Sequence, residues 1–143
     1  MATLIQIINK IKDIGDANKM IQTTMFGIPM DAQALQDVKY PLFCFDLVDM
    51  PLSDKIETFN FRMMFLDMMK ADRSNEEDAL SDMIMISNDV VAALNNNNND
   101  FQLNKSIQRE RIQDETPDIL CGTMLTVSLY QPMDYNRCQI PTY

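Results

Sequence analysis

Five acids, Asp72, Glu76, Glu77, Asp78 and Asp82, fall within eleven positions of the stretch MKADRSNEEDALSDM, residues 69–83. Carboxylates at this density could hold a hard cation or trade protons as an acid/base pair. A calcium loop starting at Asp72 needs glycine at its sixth position and glutamate at its twelfth. The chain has Glu77 and Met83 there. Ser74 and Glu77 instead have the S-x-x-E spacing of a capping box, directly before an apolar stripe. Glu76, Glu77 and Asp78 then fill a first turn, where the helix dipole favours negative charge by about 0.3–1 kcal/mol each. The cluster reads as a helix start.

Other chemistry is harder to assemble. Cys44, Cys121 and Cys138 stand far apart with no CxxC, which predicts free thiols rather than a zinc knuckle or a disulfide framework. The chain has no histidine, so His-dependent triads and His-ligated metals are ruled out. Thirteen methionines raise the question of Cu(I), which thioethers suit. Met63, Met64, Met68 and Met69 straddle both faces of one segment, however, as gap-filling core residues do. Asp46, Asp49 and Asp54 sit where a strand runs into a connection, a common place for solvated acids. No GxGxxG, P-loop or GxSxG occurs. The expectation is a protein that is no enzyme, with no metal and no other cofactor.

The elements around these residues follow from periodicity. Leu4, Ile7, Ile8, Ile11 and Ile14 recur at helical spacing, with Thr3 and Gln6 as a capping box and Gly15 as the stop. Residues 20–38 lack a period and predict a loop with one short extended piece. YPLFCFDLV (40–48) and TFNFRMMFLDMM (58–69) predict two strands of a hairpin, joined by the polar connection DMPLSDKIE. In the second, Phe59, Phe61, Met63 and Phe65 share one face. Leu42, Met64, Leu66 and Met68 predict that part of the other face is covered too. Leu80, Met83, Ile84, Ser87, Val90, Val91 and Leu94 trace a second helix, ended by Asn95 to Asn99.

FQLNKSIQRERIQ (101–113) alternates Phe101, Leu103 and Ile107 with polar residues and continues through Arg109 and Arg111 on the same parity. The charged half of this strand is expected to leave the core. ILCGTMLTVSLYQ (119–131) returns beside it, and residues 132–143 form an irregular tail. The fold class is therefore α+β: an antiparallel sheet of two β-hairpins with an N-terminal and a central helix on one face.

At 143 residues the chain is expected to be one domain, with its core in about 1–131. Its first residues lack the basic and unbroken apolar regions of a signal peptide. No stretch approaches the ~20 apolar residues of a membrane helix, so no membrane contact is expected. Twenty-one acids against twelve bases leave a net charge of −9. That balance argues against holding nucleic acid by its phosphates, but suits a wall past which DNA slides.

The phrases KYPLFCFDL, FNFRMMFLDMMKADRSNEEDALSDMIMISNDVVAAL and TVSLYQPMDYNRCQIP span most of residues 39–140. They resemble small virion proteins of tailed bacteriophages: tail terminator, tail completion and head-to-tail connector proteins. The resemblance implies an α+β subunit in a ring of six or twelve copies on the particle axis, assembled in the host cytoplasm. Such a ring joins portal-side proteins to the tail and lets DNA through without specific binding. It implies no active site.

On this reading Arg109, Arg111 and Gln113 meet a neighbouring copy's acids, such as Asp78 or Asp82. Pro51, Leu52 and Lys55 in the 49–57 connection, and Tyr135, Arg137 and Tyr143 in the tail, are expected to touch other neck, portal or tail proteins. The alternative is a small cytoplasmic adaptor whose exposed hairpin edge recruits a partner by strand addition.

Overall fold

Thr3 begins the first helix as its spacing predicts. Its Oγ1 accepts the Gln6 amide at 3.3 Å, and Gln6 Oε1 accepts the Thr3 amide at 2.9 Å. Helix α1 (Leu4–Ala17) buries Ile7, Ile8, Ile11 and Gly15. Gly15 does not end it, contrary to expectation; the helix runs on to an Asn18 cap. A Cβ at Gly15 would come within 2.6 Å of Thr24 Oγ1 and 2.9 Å of Phe43 Cδ2. Glycine stands there because the helix lies tight on the strands beneath it.

The structure, a computed structural model, describes residues 3–27, 39–68, 74–96, 99, 101–114 and 120–132. The expectations for Asp72, Tyr135, Arg137, Cys138 and Tyr143 fall outside these residues. Among the described residues, seven strands follow α1 and flank a second helix: β1 (Thr23–Phe26), β2 (Leu42–Asp49), β3 (Leu52–Ser53), β4 (Ile56–Met68), α2 (Glu76–Leu94), β5 (Gln102–Leu103), β6 (Gln108–Asp114) and β7 (Leu120–Pro132). They form one sheet in the order β1-β2-β4-β7-β5, with β3 also on β4 and β6 also on β7. The fold is α+β. Its pairings are antiparallel except at one edge, where β1, the short extended piece, lies parallel to β2.

Alternation decides which side chains meet the helices. Phe43 and Phe45 of β2, Phe59, Phe61, Met63 and Phe65 of β4, and Leu125, Val127 and Leu129 of β7 point to one face. There they pack against Ile7, Ile8 and Ile11 of α1 and Met83, Ile86, Val90 and Leu94 of α2. The buried stripe of α2 begins at Ala79, and Leu80, Ile84 and Val91 are only half-buried. The opposite face buries a second cluster of Leu42, Cys44, Met64, Leu66 and Leu120. Leu42, Met64 and Leu66 are thus covered, while Met68 stays 45% exposed.

Two details depart from the periodicity. DMPLSDKIE is no plain connection, because β3 pairs back onto β4 through a two-residue turn. Asp54 and Lys55 there have φ of 52° and 64°, the left-handed pair of a tight hairpin turn. A lysine Cβ is costly in that conformation. Lys55→Gly is expected to raise stability by about 0.5–1 kcal/mol, read as a higher urea midpoint. An unchanged midpoint would mean that the lysine side chain offsets its backbone strain.

The second departure is the 101–114 strand. Leu103 pairs with Leu129 and Gln108 with Thr126, so two residues between them are looped out of the ladder. Because the offset is even, Phe101, Leu103, Ile107, Arg109 and Arg111 keep one parity and all face the helix side. The charged half leaves the core, with Gln108 to Arg111 exposed, but not the sheet. Residues 108–114 stay paired with β7 throughout.

Candidate functional site

The odd-numbered side chains of 101–111 run along α2 from its C-terminal end toward its first turn. Leu103 and Ile107 line a groove with Asn88, Val91, Ala92 and Asn95. Arg109 Nη1 donates to Asn88 Oδ1 at 2.6 Å and to Ser87 Oγ at 3.4 Å. Arg111 forms an ion pair with Glu76 in the first turn of α2. Both arginines expected at a subunit interface are therefore bound to their own chain. The backbone pairing of β6 holds them over α2, where Glu76 and Asn88 lie within reach. Asp78 and Asp82 are exposed on the polar side of α2, and Gln113 is placed opposite Cys121 in the strand register.

The acid cluster is a helix start, one residue later than its capping box predicts. Asn75 is the N-cap, and its side chain makes no capping hydrogen bond; its Nδ2 donates to Met68 O at 3.3 Å. Glu76, Glu77 and Asp78 form the first turn, with their charges at the positive end of the helix dipole. At the other end Asn99, from the asparagine run, donates to the carbonyls of Ala93 and Leu94. Among the described residues no three histidine, cysteine, aspartate or glutamate side chains come together to hold a metal.

A polar pair sits where α2 begins. Asp67 of β4 lies opposite Cys121 of β7. Burial raises the Asp67 carboxyl above its ordinary 3.8; the Met68 amide it accepts lowers it, and the Asp82 charge raises it further. Burial also raises the Cys121 thiol, with the Asp67 charge adding to the effect and Arg111 opposing it. Thiolate, not thiol, attacks electrophiles, so this environment makes Cys121 a poor nucleophile. The pair is a packing compromise.

It has a measurable consequence. A carboxyl whose pKa is raised in the fold binds its proton more tightly there than in the unfolded chain. Its stabilising contribution is present at low pH and is lost as pH climbs from about the ordinary 3.8 through the raised value. Asp67→Asn keeps an acceptor for the Met68 amide and removes the charge. It is expected to raise the Tm at pH 7, with the advantage vanishing near pH 3. A Tm difference that does not change with pH would contradict this.

The remaining feature is apolar. Val48, Met50, Leu52 and Ile56 are 47%, 60%, 49% and 44% exposed, four large hydrophobic side chains within nine residues. They lie at the tip of the β2–β4 ribbon with exposed Pro51 and Lys55; Leu52, opposite Glu57, and Ile56, opposite Ser53, take its two faces. Pro51, Leu52 and Lys55, the expected partner contacts, thus stand at the surface, and the structure adds Val48, Met50 and Ile56 to them. Sequence reading missed these because it took the segment as polar around one proline. Asp67 was also missed, although it continues the parity of Phe59 to Phe65 and so announced an acid on the core face.

Among the described residues, no helix is long and apolar enough to cross a membrane. Compared with known proteins, the chain matches no family model and no curated sequence.

Proposed function

We propose that this chain is a structural subunit of a bacteriophage particle, forming a ring with copies of itself at the head–tail neck or the tail end. The ring joins capsid- and portal-side proteins to the tail and encloses the passing DNA. The observation that carries this reading is the apolar tip: four exposed hydrophobic side chains, shared between the two faces of one ribbon end of an acidic protein. Exposed apolar groups gathered at one place mark contact surfaces. The phrase-level resemblance to neck and tail-end proteins supplies the setting. A net charge of −9 suits a channel wall that repels phosphate rather than gripping it.

Electron microscopy and mass photometry of the concentrated protein test this. Closed rings of one copy number are expected, with no retention of duplex DNA in a gel even at low salt. A protein that stays monomeric at every concentration, or that turns over a small substrate, would overturn the reading. The outer edge of β5 and β6 beside α2, unpaired among the described residues, favours one alternative, an adaptor that takes up an extended peptide by strand addition. A persistent monomer that binds such a peptide would select it.

A further inference from the structure

The apolar tip has a complement on the same chain. At the tip, Val48, Met50 and Leu52 alternate with Asp49, Pro51 and Ser53. All three hydrophobic side chains stay exposed, and β3 is held on β4 with Leu52 opposite Glu57 and Ser53 opposite Ile56. Residues 46–57 carry Asp46, Asp49, Asp54 and Glu57 against Lys55, a net charge of −3.

The complement is the groove of about 290 Å³ between α2 and the β5–β6 edge. Val91, Ala92, Leu103 and Ile107 line it, and Lys105 stands at its lip. Arg109, bonded to the groove residue Asn88, adds a second cation at one end. Lys105 and Arg109 are the cations beside the groove, since Arg111 is paired with Glu76. Beside the groove, the outer edge of β6 pairs with no described strand.

We infer that the ribbon tip of one copy docks in the groove between α2 and residues 103–107 of the next, an inference that rests on the ring reading. Met50 and Leu52 enter between the helix and the edge strand, and the tip's acids face Lys105 and Arg109. Within one molecule the two features are held apart. β3 sits on β4, and β7 and then β5 follow, which at ~4.8 Å per strand is roughly 14 Å. Donor and acceptor surfaces differ, so the contact is heterologous. It repeats from copy to copy until the rotation closes.

Two variants test it at exposed positions, where folding is not at stake. Met50→Glu with Leu52→Glu spoils the tip, and Ala92→Glu spoils the groove. Both are expected to keep the wild-type circular dichroism and to need at least tenfold more protein to assemble. Mixed in equal amounts they are expected to form 1:1 dimers and nothing larger, since each pair has one intact tip and one intact groove. A third chain, Leu52→Cys with Ala92→Cys and Cys138→Ser, is expected to give a ladder of disulfide-linked multimers on oxidation, while either single cysteine does not.

Wild-type rings with variants that assemble equally well would overturn the docking and leave the ring reading standing. So would a mixture of folded variants that stays monomeric, or an absent ladder. A wild type that never assembles overturns the ring reading and this contact together.

Discussion

Gly122→Ala is expected to cost about 3 kcal/mol and to lower the Tm by roughly 6–12 °C. Gly122 lies in β7 opposite Leu66, inside a ladder of thirteen unbroken pairs between β4 and β7. A Cβ built there would sit 1.7 Å from the Phe65 carbonyl oxygen, 2.8 Å from its carbon and 3.1 Å from Leu66 Cα. All three are backbone atoms, so no side chain can swing aside to make room. The two longest strands must separate or shift, and both carry core residues on each face. Thr126→Ala, exposed on the same strand, is the control and is expected to stay within about 0.5 kcal/mol of wild type. A Tm loss at Gly122 no larger than at Thr126 would show that the strands stand farther apart than described.

Phe43→Ala is expected to cost about 3–5 kcal/mol. Phe43 is fully buried beneath α1, and its ring stacks on Phe65 at a centroid distance of 4.6 Å and an angle of 2°. Phe45 lies 5.5 Å away on the same strand, and Phe61 and Phe26 meet Phe45 edge-on. Truncation therefore opens a cavity beside Gly15, whose own missing side chain offers nothing to refill it. The stacking itself can be separated from the burial. A double-mutant cycle of Phe43→Leu and Phe65→Leu is expected to show a coupling of about 0.5–1.5 kcal/mol. Additive losses in that cycle would mean that the rings contribute only volume.

Both effects fall on residues whose types were visible in the sequence but whose partners were not. The aromatic alternation of β4 declared a strand with one buried face, and pairing with FCF followed from neighbouring apolar runs. Nothing local declared that Phe43 and Phe65 would lie opposite each other, because register is set across twenty-two positions of chain. Gly122 looked like an unremarkable gap in ILCGTML. Its role appears only when the β4 backbone is placed against it.

The candidate site divides in the same way. Arg109 and Arg111 stand out as charges on a core parity, and the ring that the resemblance implies sends them toward a neighbour. Long side chains reach whatever lies beside the strand, and here that is α2 of the same chain, through Asn88, Ser87 and Glu76. The ribbon tip was legible as a connection around Pro51. That its hydrophobic side chains stay exposed, and that β3 folds back onto β4 there, no local pattern shows.

Local patterns in the sequence specified the two described helices, the four long strand segments, the Thr3 cap and which side chains alternate toward the core. These depend on contacts a few residues apart, where helical and strand periods operate. Tertiary structure alone decided the parallel edge strand, the closeness that demands Gly15 and Gly122, the raised carboxyl of Asp67 and the ties of the two arginines. Each of these depends on what a distant segment places within a few ångströms, and no local pattern carries that distance.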